Sequence, residues 1–166
     1  MYQALLGGED DVNARRRALP LLLNSGQFAI AGRGGTQVGG WNVTLPAPGA
    51  FRWTNRDRLA AVTRGQPMQI EWKGSEVPQR VMIVAGTYAA DAQVSGFCQC
   101  MAGPADRHMA IPAAALEGLP DGLGYVWLIG LPNRRPPAIP ATGIDQSAAI
   151  SVYCQRQEFR FVSTRP

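Results

Sequence analysis

The chain has 166 residues, of which 46% are hydrophobic and 17% charged, and this balance is typical of a folded globular protein rather than a disordered one. Its net charge of +4 comes almost entirely from arginines scattered along the sequence. Without a concentrated basic stripe or a reading motif, we expect no nucleic-acid partner. The sequence has no apolar run near the roughly 18 residues that span a bilayer, so we expect no membrane insertion.

Along the chain, short runs of β-branched and aromatic residues alternate with turn residues. The 19 glycines and 13 prolines are distributed between these runs, a pattern that indicates a turn-rich β protein and argues against a helix bundle. The predicted strands are 27–31, 40–45, 51–54, 68–73, 79–89, 93–102, 107–111, 124–131 and 148–162. One short helix is predicted over 112–119, because Pro112 suits a first helical position and is followed by good helix formers.

Five of these strands carry more specific predictions. Strand 68–73 alternates apolar and polar residues, which indicates one solvated face, whereas 79–89 is almost continuously apolar and predicts a central strand covered on both faces. The 103–106 turn predicts a hairpin of strands 93–102 and 107–111. In the last strand, the apolar phase slips near Gln157, and this slip predicts a bulge.

The best internal boundary is the proline- and glycine-containing segment 46–49. Residues 1–48 hold too few strands to close a sandwich and are predicted to be the trailing strands of an incomplete β module. Residues 49–166 hold about seven strands and one short helix, which fits an immunoglobulin-like antiparallel β-sandwich domain.

Several local motifs resemble the Ig-like C-terminal regions of large secreted or cell-surface proteins of acidobacterial type. The matching segments are Trp53–Asn55, the turn at Val62–Gln66 leading to Trp72, Phe97–Cys100, Ile111–Pro120 and, upstream, Gly35 and Val38–Pro46. Cys98 and Cys154 depart from the pattern. No activity is assigned to this family, so the resemblance implies an architecture rather than a reaction.

The resemblance implies a non-catalytic structural or interaction module of an exported multi-domain bacterial protein. Its partners would be other domains of the same precursor, surface proteins or polysaccharide. The chain shows no secretory signal peptide, since no basic and apolar leader follows Met1. We therefore expect an extracellular or cell-surface location as part of a longer precursor in which Met1 is an internal start.

The three cysteines leave three interpretations open. Cys98 and Cys100 share one face of a strand and are poorly placed to bridge each other, so the alternatives are small buried side chains or a disulfide from one of them, such as Cys100, to Cys154. A metal site is disfavoured because the spacing lacks paired ligand knuckles. We expect no metal and no cofactor.

Catalytic machinery is not recognisable in the sequence, and we expect no enzyme. His108 is the only histidine, and no nucleophile signature accompanies it. The nine acidic residues from Asp57 to Glu158 are isolated from one another. The Gly32–Gly40 glycines precede a strand rather than a helix, which argues against a phosphate loop.

The aromatic residues suggest an alternative function, which is carbohydrate or matrix binding. Trp72 and Trp127 are expected to be core anchors between the sheets. Trp41, Trp53 and Tyr125 form the candidate platform for a carbohydrate- or matrix-binding module, because aromatic faces stack on sugar rings.

Overall fold

The computed structural model describes residues 26–46, 51–74, 79–88, 94–132 and 135–162. Most of these residues lie in strands, which are β1 Gln27–Gly32, β2 Trp41–Pro46, β3 Arg52–Trp53, β4 Ala61–Thr63, β5 Met68–Lys73, β6 Gln79–Tyr88, β7 Val94–Ala102, β8 His108–Ile111, β9 Leu123–Pro132 and β10 Tyr153–Val162. A 3-10 helix covers Arg56–Ala60, and one short α-helix, α1, covers Ala113–Glu117. The predicted β-rich fold with one short helix is confirmed.

The strands form three sheets. β1 and β2 make a two-stranded sheet, β3, β5 and β8 a three-stranded sheet in the order β3-β5-β8, and the remaining strands a five-stranded sheet in the order β4-β10-β9-β6-β7. All neighbours are antiparallel except β4 and β10, which run parallel. The segment from β3 to β4 therefore contributes one strand to each of the two larger sheets.

One hydrophobic core lies between the two larger sheets. It combines inward residues of the three-stranded sheet, among them Ile70 and Ile111, with Ile83 and Leu128 of the five-stranded sheet, all of them fully buried. Leu116 of α1 is buried in the same cluster. Burial of this apolar area is the main stabilising term of the fold.

Asn55 joins β3 to β5 where the strand pairing ends. Its Oδ1 accepts hydrogen bonds from the indole of Trp53 and the backbone N–H of Glu71, each at 3.0 Å, and its Nδ2 donates to the carbonyl of Gln69 at 2.8 Å. A buried amide with all of these bonds satisfied substitutes for a stretch of strand pairing. The 3-10 helix then carries the chain across to β4.

Two local predictions are wrong because strand order decides them. β7 pairs with β6 and β8 pairs with β5, so the 103–106 turn connects two different sheets instead of closing a hairpin. The predicted bulge near Gln157 is absent from the described strand, since β10 pairs with β9 in continuous register from Tyr153 to Arg160. The apparent slip arises because Cys154 lies on the outward phase of β10, whereas Phe159 and Phe161 lie on its inward phase.

The third correction concerns β6. It occupies the predicted central position, between β9 and β7, but only its inward residues are buried. Its outward residues Met82, Val84 and Gly86 are half-buried, and Tyr88 is exposed. The strand is therefore covered on one face only.

The β1–β2 hairpin contacts the long loop that precedes β10. The backbone N–H of Gly39 donates to the carbonyl of Thr142 at 3.0 Å, and the Ser151 hydroxyl donates to the carbonyl of Pro46 at 2.7 Å. The predicted boundary at 46–49 falls mostly on residues outside the described part, as do residues 1–25 of the predicted first module. The division into two modules stays a prediction.

Candidate functional site

The three residues of the predicted aromatic platform lie in different places. Trp53 is 5% exposed, lies in the core and donates its indole N–H to Asn55, so it presents no ring face to a ligand. Trp41 is half-buried on β2, and Tyr125 is half-buried on the outward side of β9. The predicted platform of three rings is therefore wrong as a single surface.

The two tryptophans that were predicted to be core anchors lie on opposite sides of their sheets. Trp72 is buried in the core as expected. Trp127 points the other way, with 38% of its surface exposed, because it lies on the outward phase of β9 between the buried Val126 and Leu128. Trp127 therefore contributes an apolar side chain to the outer side of the five-stranded sheet.

The predicted disulfide between Cys100 and Cys154 is excluded by the sheet geometry. Cys100 lies on the inward phase of β7 and Cys154 on the outward phase of β10, and two strands separate β7 from β10. Three strand spacings of about 4.8 Å place the two residues about 14 Å apart, beyond the roughly 7 Å limit for a bridge.

Cys98 and Cys100 instead pack against the core as small side chains. Burial raises the pKa of the Cys98 thiol, and the neighbouring Cys100 raises it further. A raised pKa keeps the thiol protonated and therefore weakly nucleophilic. The described residues contain no group of His, Cys, Asp and Glu side chains suited to hold a metal ion.

A polar groove lies on the outer side of the three-stranded sheet. It has a volume of about 550 Å³, and its lining includes Thr54, Glu71, Lys73, Arg107 and His108. His108 is exposed and pairs in register with Glu71, while the Thr54 hydroxyl is bound to the Glu71 carbonyl at 3.0 Å. The Thr54 hydroxyl is thus bonded to the backbone, and the charged side chains of the groove are exposed to solvent.

The outer side of the five-stranded sheet has the opposite character, and we name it the apolar face. It is formed by outward side chains of three adjacent strands, namely Met82, Val84 and Tyr88 of β6, Phe97 and Met101 of β7, and Tyr125, Trp127 and Ile129 of β9. The polar Gln99 lies between Phe97 and Met101 on the edge strand β7. The exposed fractions are 68% for Phe97 and 44% for Met101. Strand pairing sets these residues side by side, so they form one contiguous patch.

Charge on this side of the sheet lies on β10 and, at the far end of β6, on the exposed Arg80. The Arg156 guanidinium lies 4.0 Å from the centre of the Tyr125 ring and 5.6 Å from that of Trp127, and it forms an ion pair with Glu158 at 2.7 Å. These contacts are cation–π and charge-assisted interactions. They pair two of the three charges that β10 presents on this side, and the third is the exposed Arg160.

The composition of the apolar face matches that of protein interfaces. The centres of such interfaces are enriched in aromatic residues, Met and Arg and depleted of Lys, Asp and Glu. Monomeric proteins rarely expose large contiguous apolar patches without a function for them. The sequence signal for the face lies in 79–89 and 124–131, whose residues are apolar on both strand phases. In 79–89 this pattern predicts burial on both faces, whereas the structure leaves one face open to solvent.

Comparisons of the chain with protein families, with curated proteins and with solved structures find no match. Among the described residues, no helix is long and apolar enough to cross a membrane. The functional argument therefore depends on the arrangement of this chain's own residues.

Proposed function

We propose that this chain is a non-catalytic interaction module that contacts another protein through its apolar face. The observation that carries the proposal is the contiguous exposure of Phe97, Met101, Trp127 and Tyr88 on one side of one sheet. The inward residues of the same strands already supply a buried core. An apolar outer surface beyond that core adds little to folding and is suited to contact.

The same proposal includes an immunoglobulin-like architecture. The neighbours β10-β9-β6-β7 in one sheet and β3-β5-β8 in the other follow the G-F-C-C′ and A-B-E strand orders of such domains. In antibody domains a disulfide joins strands B and F. The corresponding strands here, β5 and β9, contribute the fully buried Ile70, Val126 and Leu128, so apolar packing would replace the bridge.

Membership of an exported, multi-domain bacterial protein also belongs to the proposal. Its support is the motif resemblance over residues 35–120. The cysteines give no support for export. The positions of Cys100 and Cys154 exclude the disulfide that an oxidising location would permit.

The arrangement of the rings favours protein over carbohydrate as the partner. Sugar binding uses an open aromatic face, but the rings of Tyr88 and Tyr125 stand at 79° to each other, and Arg156 lies over Tyr125. Protein interfaces accept perpendicular rings and Met side chains, which pack against irregular apolar surfaces.

The proposal is tested with a fluorescent apolar dye such as ANS and a double variant of the full chain, F97E/M101E. At protein concentrations low enough to keep chains apart, the wild type should enhance dye fluorescence and the variant should lose most of the enhancement. The matched control is Q69E on the outer side of β5, which should behave like the wild type.

Unchanged dye binding in F97E/M101E would contradict the proposal. A parallel screen against soluble polysaccharides addresses the alternative partner. Saturable polysaccharide binding that is lost in Y125A but kept in Q69E would assign the face to carbohydrate and also count against protein contact.

A further inference from the structure

We propose that the occupant of the apolar face is a second copy of the same chain, an inference that rests on the proposed function. The two copies would pack face to face across a two-fold axis that lies in the interface and runs perpendicular to the strands. Such an isologous contact requires a surface that is complementary to itself. The charges, the shape and the size of the apolar face meet this requirement.

The charge pattern on β10 is self-complementary. Arg156 and Glu158 are neighbours on its outward phase and form an ion pair at 2.7 Å. A two-fold axis at the level of Gln157 reverses the strand direction and places Arg156 of each copy opposite Glu158 of the other. The next outward residue, Arg160, then lies opposite Cys154, so no like charges meet along this strand.

The apolar residues next to β10 follow the same symmetry. In the sheet register, Arg156 is level with Trp127 and Val84, and Glu158 is level with Tyr125 and Gly86. The same axis sets Trp127 opposite Tyr125 and Val84 opposite Gly86. The Arg156 guanidinium that lies over Tyr125 would then be enclosed between aromatic rings of the two copies, and a branched side chain meets a position without a side chain.

The apolar face and the outward side of β10 together approach the size of a standard dimer interface. The four strands concerned, β6, β7, β9 and β10, have nine or ten residues each. At about 4.8 Å between strands and 3.3 Å per residue they cover roughly 600 Å² in projection, and side-chain relief adds to this area. A standard interface buries about 800 Å² per partner.

The experiment uses two single charge variants, R156E and E158R, in sedimentation equilibrium. The wild type should show a concentration-dependent monomer–dimer equilibrium. Each single variant sets like charges opposite one another across the axis and should weaken its own dimer by about tenfold or more. An equimolar mixture of the two variants should restore dimers, because every facing pair in the mixed dimer is again of opposite charge.

The matched control pair is E71K and K73E, which changes neighbouring unlike charges on the outer side of β5. These two variants should dimerise like the wild type, alone and when mixed. Far-ultraviolet circular dichroism and thermal unfolding verify that all four variants fold.

Two results would overturn the proposal. A wild-type chain that stays monomeric at all concentrations would exclude the second copy, while dye binding lost in F97E/M101E would leave the apolar face as a contact surface for a different protein. A wild-type dimer that neither single variant weakens would exclude this face and axis.

Discussion

The two larger sheets have outer faces of opposite character. On β5, the outward residues Gln69, Glu71 and Lys73 alternate with buried apolar residues. On β9, the outward residues Tyr125, Trp127 and Ile129 are apolar although they alternate with residues that are equally well buried. Both strands satisfy the shared core with their inward residues alone. The apolar outer residues of β9 are therefore not needed for folding. The difference between the two outer faces reflects what each face contacts, either solvent or a partner.

This contrast separates residues that stabilise the fold from residues available for contact. A polar outer face is the ordinary state of an antiparallel sheet that is solvated on one side. An apolar outer face increases the risk of aggregation, which natural proteins manage with charges or covering partners. Arg156 and Glu158 at one side of the apolar face supply such charges, and the proposed second copy would supply the cover.

The largest expected effect is on the sheet with the polar outer face. The substitution Asn55→Ala removes three hydrogen bonds and leaves the Trp53 indole, the Glu71 N–H and the Gln69 carbonyl without their partner. We expect it to lower the free energy of unfolding by about 2–4 kcal/mol. Urea denaturation measures the change.

The control for this prediction is Thr54→Ala. The Thr54 hydroxyl also bonds to β5, but its bond to the Glu71 carbonyl is exposed to solvent. Its loss should change the free energy of unfolding by less than about 0.5 kcal/mol. Equal losses in the two variants would contradict the role assigned to Asn55.

A smaller effect is expected in the reactivity of the cysteines. It tests which residues of the five-stranded sheet point toward the core and which point outward. Cys98 lies on the inward phase of β7 with a raised thiol pKa, whereas Cys154 is exposed on the outward phase of β10. We expect iodoacetamide to modify Cys154 first, as followed by mass spectrometry of the native chain. Modification of Cys98 should become appreciable only at a more alkaline pH than for an ordinary cysteine, because its thiolate forms later.

Preferential modification of Cys98 at neutral pH would show that the phase of β7 has been assigned to the wrong side. The variant Cys154→Ser is the control. It should abolish the fast reaction without changing the slow one.

The sequence was most informative where one local pattern decides the structure. Strand β5 was predicted with its bounds because alternation of apolar and polar residues identifies both the strand and its solvated face. Helix α1 was predicted over 112–119 from Pro112 and the helix formers that follow it, and the structure has it over Ala113–Glu117 with Pro112 as its N-cap.

Features that depend on strand order were not predictable from local pattern. The parallel pairing of β4 with β10 and the separation of Cys100 from Cys154 both arise from the order of strands in the five-stranded sheet. The apolar face was missed for a related reason. A run that is apolar on both phases, as in β6, has the same sequence whether a second layer, a partner or solvent covers the outer side.

The most direct test of the central claim compares substitutions on the two sides of the five-stranded sheet. Leu128→Ala, on the buried side, should lower the free energy of unfolding by about 2–5 kcal/mol. F97E/M101E, on the apolar face, should change it by less than about 1 kcal/mol when measured at concentrations that keep chains apart. A loss in F97E/M101E as large as that in Leu128→Ala would contradict the account, because the apolar face would then be part of the folding core.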